Sequence, residues 1–256
     1  MQIMPGAEAF TLEAGDDSCL LLHGLTGSPS EMHFLAQQFH ESHYSVRVPL
    51  LPGHGTNIKD LNGHTWHDWF GAAVNELFLL TSKYRNVYVA GLSMGGLLTL
   101  TLLALFSEKI HAAAVLSTPM KFKGLKPRLV LPIVARSFFG KLIGDVPKSI
   151  PDVKCGDTKR HVCYDRDSLP ATYSTLELMR IVREPGFLAR VKQPALIIQA
   201  RQDPVIHPKS AQHIYKWINS ADKEIVMLEE SYHTVTVDVE RELLARTIID
   251  FFQKHP

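Results

Sequence analysis

The sequence predicts an α/β protein, a mostly parallel sheet with helices on both faces. Short apolar or β-branched runs at 9–13, 18–22, 45–48, 87–90, 112–116, 195–199 and 224–228 alternate with helical patterns at 29–40, 65–82, 94–106, 208–219 and 239–253. Strand followed by helix, repeated, leads to parallel pairing with helices laid over the sheet. A second observation locates the centre of the chain. The pentapeptide Gly91-Leu92-Ser93-Met94-Gly95 sits where the run NVYVA, strand-like and bounded by polar residues, breaks into MGGLLTLTLLALF, a Leu-rich run too long for a strand.

Taken in order, the run at 18–22 enters His23-Gly24-Leu25-Thr26-Gly27, a glycine-flanked loop. The helix that follows has start chemistry, with Ser28 as cap, Pro29 in the first position and Glu31 in the first turn. Ser93 then falls in a strand-to-helix turn, where Gly-x-Ser-x-Gly forms a nucleophile elbow. The helix start beneath it presents unbonded N–H groups and the positive end of a dipole, suited to a developing oxyanion.

Residues 119–185 lose the strand rhythm and gain prolines and glycines. Within 119–167 there are eleven Lys and Arg against five Asp, a balance of +6 in a chain of net charge +1. The apolar spacing from Leu129 to Gly144 suits one or two short amphipathic helices. We read 1–118 and 186–256 as the core and 119–185 as an inserted cap over the carboxyl ends of the strands, where open α/β sheets bind ligands. Leu129, Ile133, Phe138 and Ile143 are its expected substrate-binding residues, and the apolar and basic residues together raise membrane docking as an expectation.

A serine hydroxyl needs a base within hydrogen-bond reach and an acid to orient that base. Past the run at 195–199, Asp203 precedes a turn proline; past the run at 224–228 lies His233. Both loops fall on the sheet edge that carries Ser93. His207 and His213 sit too near Asp203 in sequence to be oriented by it across a pocket. Asp238, a rival acid, reads as the start of the last helix, and His23 as a loop-holding residue. The backbone N–H groups of Leu25 and Met94 are the expected oxyanion donors.

With these residues in place, the sequence resembles the α/β-hydrolases of the bacterial carboxylesterase and monoacylglycerol lipase group. LLLHGLTGSP, LPGHG at 51–55, GLSMGG, ARQDPVI and SYHTVTVD match that group's motifs in order over nearly the whole chain, most weakly in the cap. The resemblance implies an α/β-hydrolase fold with an eight-stranded sheet and a small cap, no metal and no organic cofactor. It also implies a serine hydrolase of carboxylic esters with short to medium acyl chains, or of monoacylglycerols, acting through Ser93, Asp203 and His233. A carbon–carbon bond hydrolase and a slow-turnover ligand receptor of the same fold are the alternatives.

Composition excludes other classes. With 45% hydrophobic and 21% charged residues and a net charge of +1, nothing points to a nucleic-acid partner. Three cysteines suit a reducing compartment better than a disulfide framework. Cys155, His161 and Cys163 lie close together, but no fourth ligand stands at zinc-finger spacing. The first residues lack a signal-peptide pattern and no apolar run is long enough to span a bilayer, so a cytoplasmic protein, monomer or homodimer, is expected.

Overall fold

In the computed structural model, which describes residues 1–123, 144–148, 151–154 and 161–256, all seven strand-like runs become strands of one sheet. In chain order these are β1 Phe10–Leu12, β2 Ser18–Leu22, β3 Ser45–Val48, β4 Val87–Leu92, β5 Ala113–Leu116, β8 Ala195–Ala200 and β9 Lys223–Leu228. β6 Asp145–Pro147 and β7 Arg166–Ser168 pair separately as an antiparallel ladder. The main sheet runs β1-β3-β2-β4-β5-β8-β9. Only the edge strand β1 is antiparallel to its neighbour. Among the described residues the main sheet has seven strands, where the resemblance implies eight. The chain before Phe10 turns through Pro5 and Gly6, the latter at φ 85°, and joins no ladder among the described residues.

The helices are α1 His33–Glu41, α2 Ile58–Leu61, α3 Trp66–Lys83, α4 Met94–Leu105, α5 Leu169–Val182, α6 Lys209–Trp217 and α7 Arg241–Gln253. A 3-10 turn at Pro29–Met32 precedes α1, with the Ser28 hydroxyl accepting from the Ser30 N–H. The period-two alternation of the strands sorts their side chains into two cores. Leu20 and Leu22 of β2 join a cluster with α3, α4, α5 and α6, while Cys19 and Leu21 join one with α1 and α7. Every β2 residue is buried, as a strand covered on both faces requires.

Residues 94–104 of α4 are all buried. A helix apolar all round belongs inside a core. Its two threonines bond back to the helix, Thr99 Oγ1 to the Gly95 carbonyl at 2.9 Å and Thr101 Oγ1 to that of Leu97 at 2.8 Å. α5, which the sequence reading did not mark as a helix, lies on α3 and α4 with Leu178, Met179 and Val182 in the same core. Ser168 caps it, accepting from the Ala171 N–H at 3.0 Å. Among the described residues, no helix is long and apolar enough to cross a membrane.

The close approach of α4 to the sheet depends on Gly95, where a Cβ would overlap the Leu22 carbonyl oxygen. Gly95→Ala is expected to destabilise the protein by about 3 kcal/mol. Gly71→Ala, whose Cβ meets nothing within 4 Å on α3, is expected to stabilise it by roughly 0.5–1 kcal/mol. Urea unfolding of the two variants checks both signs.

Candidate active site

Ser93 sits between β4 and α4 at φ 54°, ψ −111°, a left-handed region rarely occupied by a residue with a side chain. A Cβ on Gly91 would overlap the Gly95 carbonyl, so both glycines are required for the turn to close. The Ser93 N–H donates to the Leu116 carbonyl of β5 at 2.8 Å, fixing the turn to the neighbouring strand. Strain of this kind persists only where the surroundings impose it.

Asp203 and His233 approach from the turns after β8 and β9. Asp203 is fully buried. Its Oδ1 accepts the N–H groups of Val205 at 2.7 Å and Ile206 at 2.8 Å, and its Oδ2 accepts from Gln199 Nε2 at 3.1 Å. Burial opposes its ionisation, but the charge and hydrogen bond of His233, with those two N–H groups, outweigh burial and hold the carboxyl below its ordinary range. A carboxylate only accepts, so the 2.8 Å contact from Oδ2 to His233 Nδ1 places the ring proton on Nδ1. In the neutral ring, Nε2 is then the acceptor for the Ser93 hydroxyl, 2.9 Å away. The structure thus brings Ser93, His233 and Asp203 into one hydrogen-bonded line.

The rival residues lie elsewhere. The His207 Nδ1 accepts the Lys209 N–H at the start of α6, and His213 stacks on Trp217 at 5.4 Å. Asp238 does not begin the last helix, which starts at Arg241. It is buried, and its Oδ2 accepts the N–H groups of Tyr232 at 2.7 Å and Lys154 at 3.0 Å. On the other side of His233, the Thr234 N–H donates to the Asp152 carbonyl at 2.9 Å. Glu240 accepts the N–H groups of Glu229, Glu230 and Ser231 at 2.8–3.0 Å. His233 is therefore held from both flanks by groups that sequence reasoning missed; their partners are distant in sequence and no local pattern marks them.

The loop after β2 passes beside Ser93. The buried His23 ring donates from Nδ1 to the Gly24 carbonyl at 3.0 Å and accepts the Leu51 N–H on Nε2 at 3.2 Å. Burial lowers its pKa, consistent with a neutral ring. Thr26 takes φ 65°. Among the described residues, neither the Leu25 nor the Met94 N–H has a protein acceptor, whereas the Gly24 N–H is taken by Glu31 Oε2 at 2.9 Å. Glu31 Oε1 in turn lies 3.2 Å from His161 Nε2, both side chains being nearly buried.

A pocket opens over Ser93 and His233. Leu25, Thr26, Pro119, Phe122, Thr172, Thr175, Leu176, Val205 and Ile206 line it, with Lys148, Asp152 and Asp167 at a polar edge. Lys148 Nζ pairs with Asp152 Oδ2 at 3.2 Å. The expected substrate-binding residues Leu129, Ile133, Phe138 and Ile143 lie outside the described residues, as does Cys155.

A mostly parallel sheet with a serine elbow between its β4 and α4, and the acid and histidine in the loops after β8 and β9, defines an α/β-hydrolase. Residues 14–240 match the family model described as serine aminopeptidase, S33. The thermostable monoacylglycerol lipase of Bacillus sp. (strain H-257) is 33% identical over 99% of this chain and 97% of its own length. The carboxylesterase of Bacillus subtilis (strain 168) is 27% identical over 96% of each. The solved structure of a metagenome-derived lipolytic enzyme is 32% identical with a TM-score of 0.89, covering 99% of this chain and all of that one. The chain belongs to this S33 family of α/β-hydrolases, in the bacterial carboxylesterase and monoacylglycerol lipase group.

The Glu31–His161 pair links folding to pH. Burial opposes the His161 charge, but hydrogen bonds with Cys163 and Glu31 outweigh it; burial likewise opposes the Glu31 charge, and His161 outweighs it. Glu31 stabilises above its ordinary 4.5 and loses that contribution as pH falls through about 2. His161 stabilises below its ordinary 6.5 and loses that contribution as pH rises through about 10. The Tm of the wild type minus that of the Glu31→Gln/His161→Gln double variant is expected to be largest between pH 4.5 and 6.5. It should shrink toward pH 10; a difference that grew there would contradict the pairing.

Proposed function

We propose that the protein hydrolyses carboxylic esters of short to medium acyl chains, monoacylglycerols among them, through Ser93, His233 and Asp203. The observation that carries this reading is the line of hydrogen bonds from Asp203 Oδ2 to His233 Nδ1 at 2.8 Å and from His233 Nε2 to Ser93 Oγ at 2.9 Å. His233 takes the proton as Ser93 Oγ attacks the ester carbonyl carbon. The developing oxyanion is held by the N–H groups of Leu25 and Met94, which are otherwise unengaged among the described residues. Collapse breaks the bond to the alcohol oxygen, and the alcohol leaves with the proton from His233. Water, deprotonated by the same ring, then attacks the acyl-enzyme, and the acid leaves as Ser93 regains its proton.

We assign residues 119–185 as the cap that selects the substrate, with Leu129, Ile133, Phe138 and Ile143 along the acyl channel. The apolar wall that Phe122 and Leu176 of that segment form with Val205 and Ile206 supports this reading, since it lies beside Ser93. The names of the relatives favour esters and monoacylglycerols. The free Cys19 and Cys163 suit a reducing compartment, and we place the protein in the cytoplasm on that ground.

The test is a panel of p-nitrophenyl esters and monoacylglycerols of graded chain length, with an aminoacyl p-nitroanilide and a vinylogous diketone beside them. Fast turnover of esters supports the proposal. Preference for the anilide or the diketone, or labelling of Ser93 by a fluorophosphonate without turnover, overturns it. Ser93→Ala is expected to lower kcat/KM by roughly 10⁴-fold or more while leaving the fold intact. Activity is expected to fall on acidification, because protonated His233 cannot accept the serine proton. Asp203 is held ionised and does not supply this limb. Undiminished turnover at about pH 4 by a folded enzyme would remove His233 from the role of base.

A further inference from the structure

We propose that Glu31 and His161 are positioning residues for the oxyanion loop. Glu31 fixes the Gly24 peptide from behind, and His161 cancels the charge that this contact brings close to the reacting centre. The inference rests on the reading of Leu25 and Met94 as oxyanion donors.

The geometry begins with the path of the loop. Glu31 Oε2 accepts the Gly24 N–H at 2.9 Å, one residue before the Leu25 donor. The same carboxylate occupies the space that a Cβ on Gly27 would need, so Gly27 is a glycine for the sake of Glu31. The loop from Gly24 to Gly27 is thus wrapped on a carboxylate. An ideal Cβ on Gly24 would lie 3.3 Å from Glu31 Oε2 and 3.7 Å from Ser93 Cβ, which bounds that oxygen to within about 7 Å of Ser93 Cβ. The peptide passes between the two.

A bare carboxylate there would work against the reaction, because the transition state also places negative charge beside Ser93. At about 7 Å and an effective dielectric near 20, an unpaired charge is enough to alter the rate by roughly 10- to 100-fold. His161 supplies the compensating charge, its Nε2 3.2 Å from Glu31 Oε1. The segment carrying His161 is fastened to the same loop. Val162 donates its N–H to Ser30 Oγ at 2.8 Å and accepts from Ser28 Oγ at 2.6 Å, and the Tyr164 N–H donates to the Thr26 carbonyl at 2.9 Å. Contact, charge and loop therefore form one unit, although residues 31 and 161 are far apart in sequence.

Steady-state kinetics with a p-nitrophenyl ester at neutral pH test this on four proteins: wild type, His161→Gln, Glu31→Gln and the double variant, each checked for folding by circular dichroism. His161→Gln is expected to lower kcat by about 10- to 100-fold with KM changed less than about threefold, since the exposed charge opposes the transition state more than substrate binding. Glu31→Gln keeps an acceptor for Gly24 and is expected to lose only about 3- to 10-fold. The double variant is expected to recover to the Glu31→Gln level, a rescue that a merely structural role would not produce. His161→Gln at wild-type kcat, or a double variant no better than His161→Gln, overturns the proposal. If His161→Gln does not fold, Glu31→Ala against Glu31→Gln decides, because only the alanine removes the acceptor for the Gly24 N–H. A kcat for Glu31→Ala at least about tenfold below that for Glu31→Gln supports the positioning role, and equal values overturn it. Ser93→Ala runs beside them. If it stays active, the nucleophile reading fails; if it is inactive while the Glu31 and His161 variants behave as wild type, only this inference fails.

Discussion

The structure depends on one backbone constraint, the turn that holds Ser93 at φ 54° between β4 and α4. It is kept closed by absent side chains at Gly91 and Gly95 and by the Ser93 N–H bonded to β5. The burial of α4 over residues 94–104 makes the constraint rigid, since a helix packed on every side along that length cannot shift to relieve a strained residue at its start. The rest of the molecule brings other loops to that fixed point. Because β4 is flanked by β2 on one side and β5 on the other, with β8 and β9 beyond, each loop arrives from a different strand end on the same sheet edge.

Carboxylates hold those loops in place. Asp203 takes the N–H groups of Val205 and Ile206 while it orients His233. Asp238 and Glu240 between them take four consecutive N–H groups leading up to His233. Glu31 takes that of Gly24. A loop has no ladder to satisfy its N–H groups, and an ionised oxygen is a stronger acceptor than a carbonyl. The cost is buried negative charge, which is why two of the four, Asp203 and Glu31, each meet a histidine.

The seven strand runs and five of the helices can be read from period and length, since a strand buried on both faces or a Leu-rich helix leaves a pattern in contiguous residues. α5 cannot be read so easily. Its cap at Ser168 and the apolar positions at Leu178, Met179 and Val182 carry a helical signal, but a proline- and glycine-bearing stretch precedes it and Pro185 follows closely. Ser93, Asp203 and His233 stand out because each lies in the loop just past its own strand. Asp238 reads as a helix start in the sequence, because its partners at Tyr232 and Lys154 are recognisable only after the chain has folded.

The sequence by itself determined the α/β order, the elbow and the identity of the residues meeting at Ser93, because these follow from local pattern and from the chemistry a serine needs. Tertiary structure alone decided the count of seven strands in the main sheet among the described residues, the clamps on either side of His233 and the Glu31–His161 pair behind the Gly24–Gly27 loop. Those depend on which distant N–H groups and charges are buried together. Burial sets the strength of such contacts, and it is a property of the folded chain rather than of any stretch of residues within it.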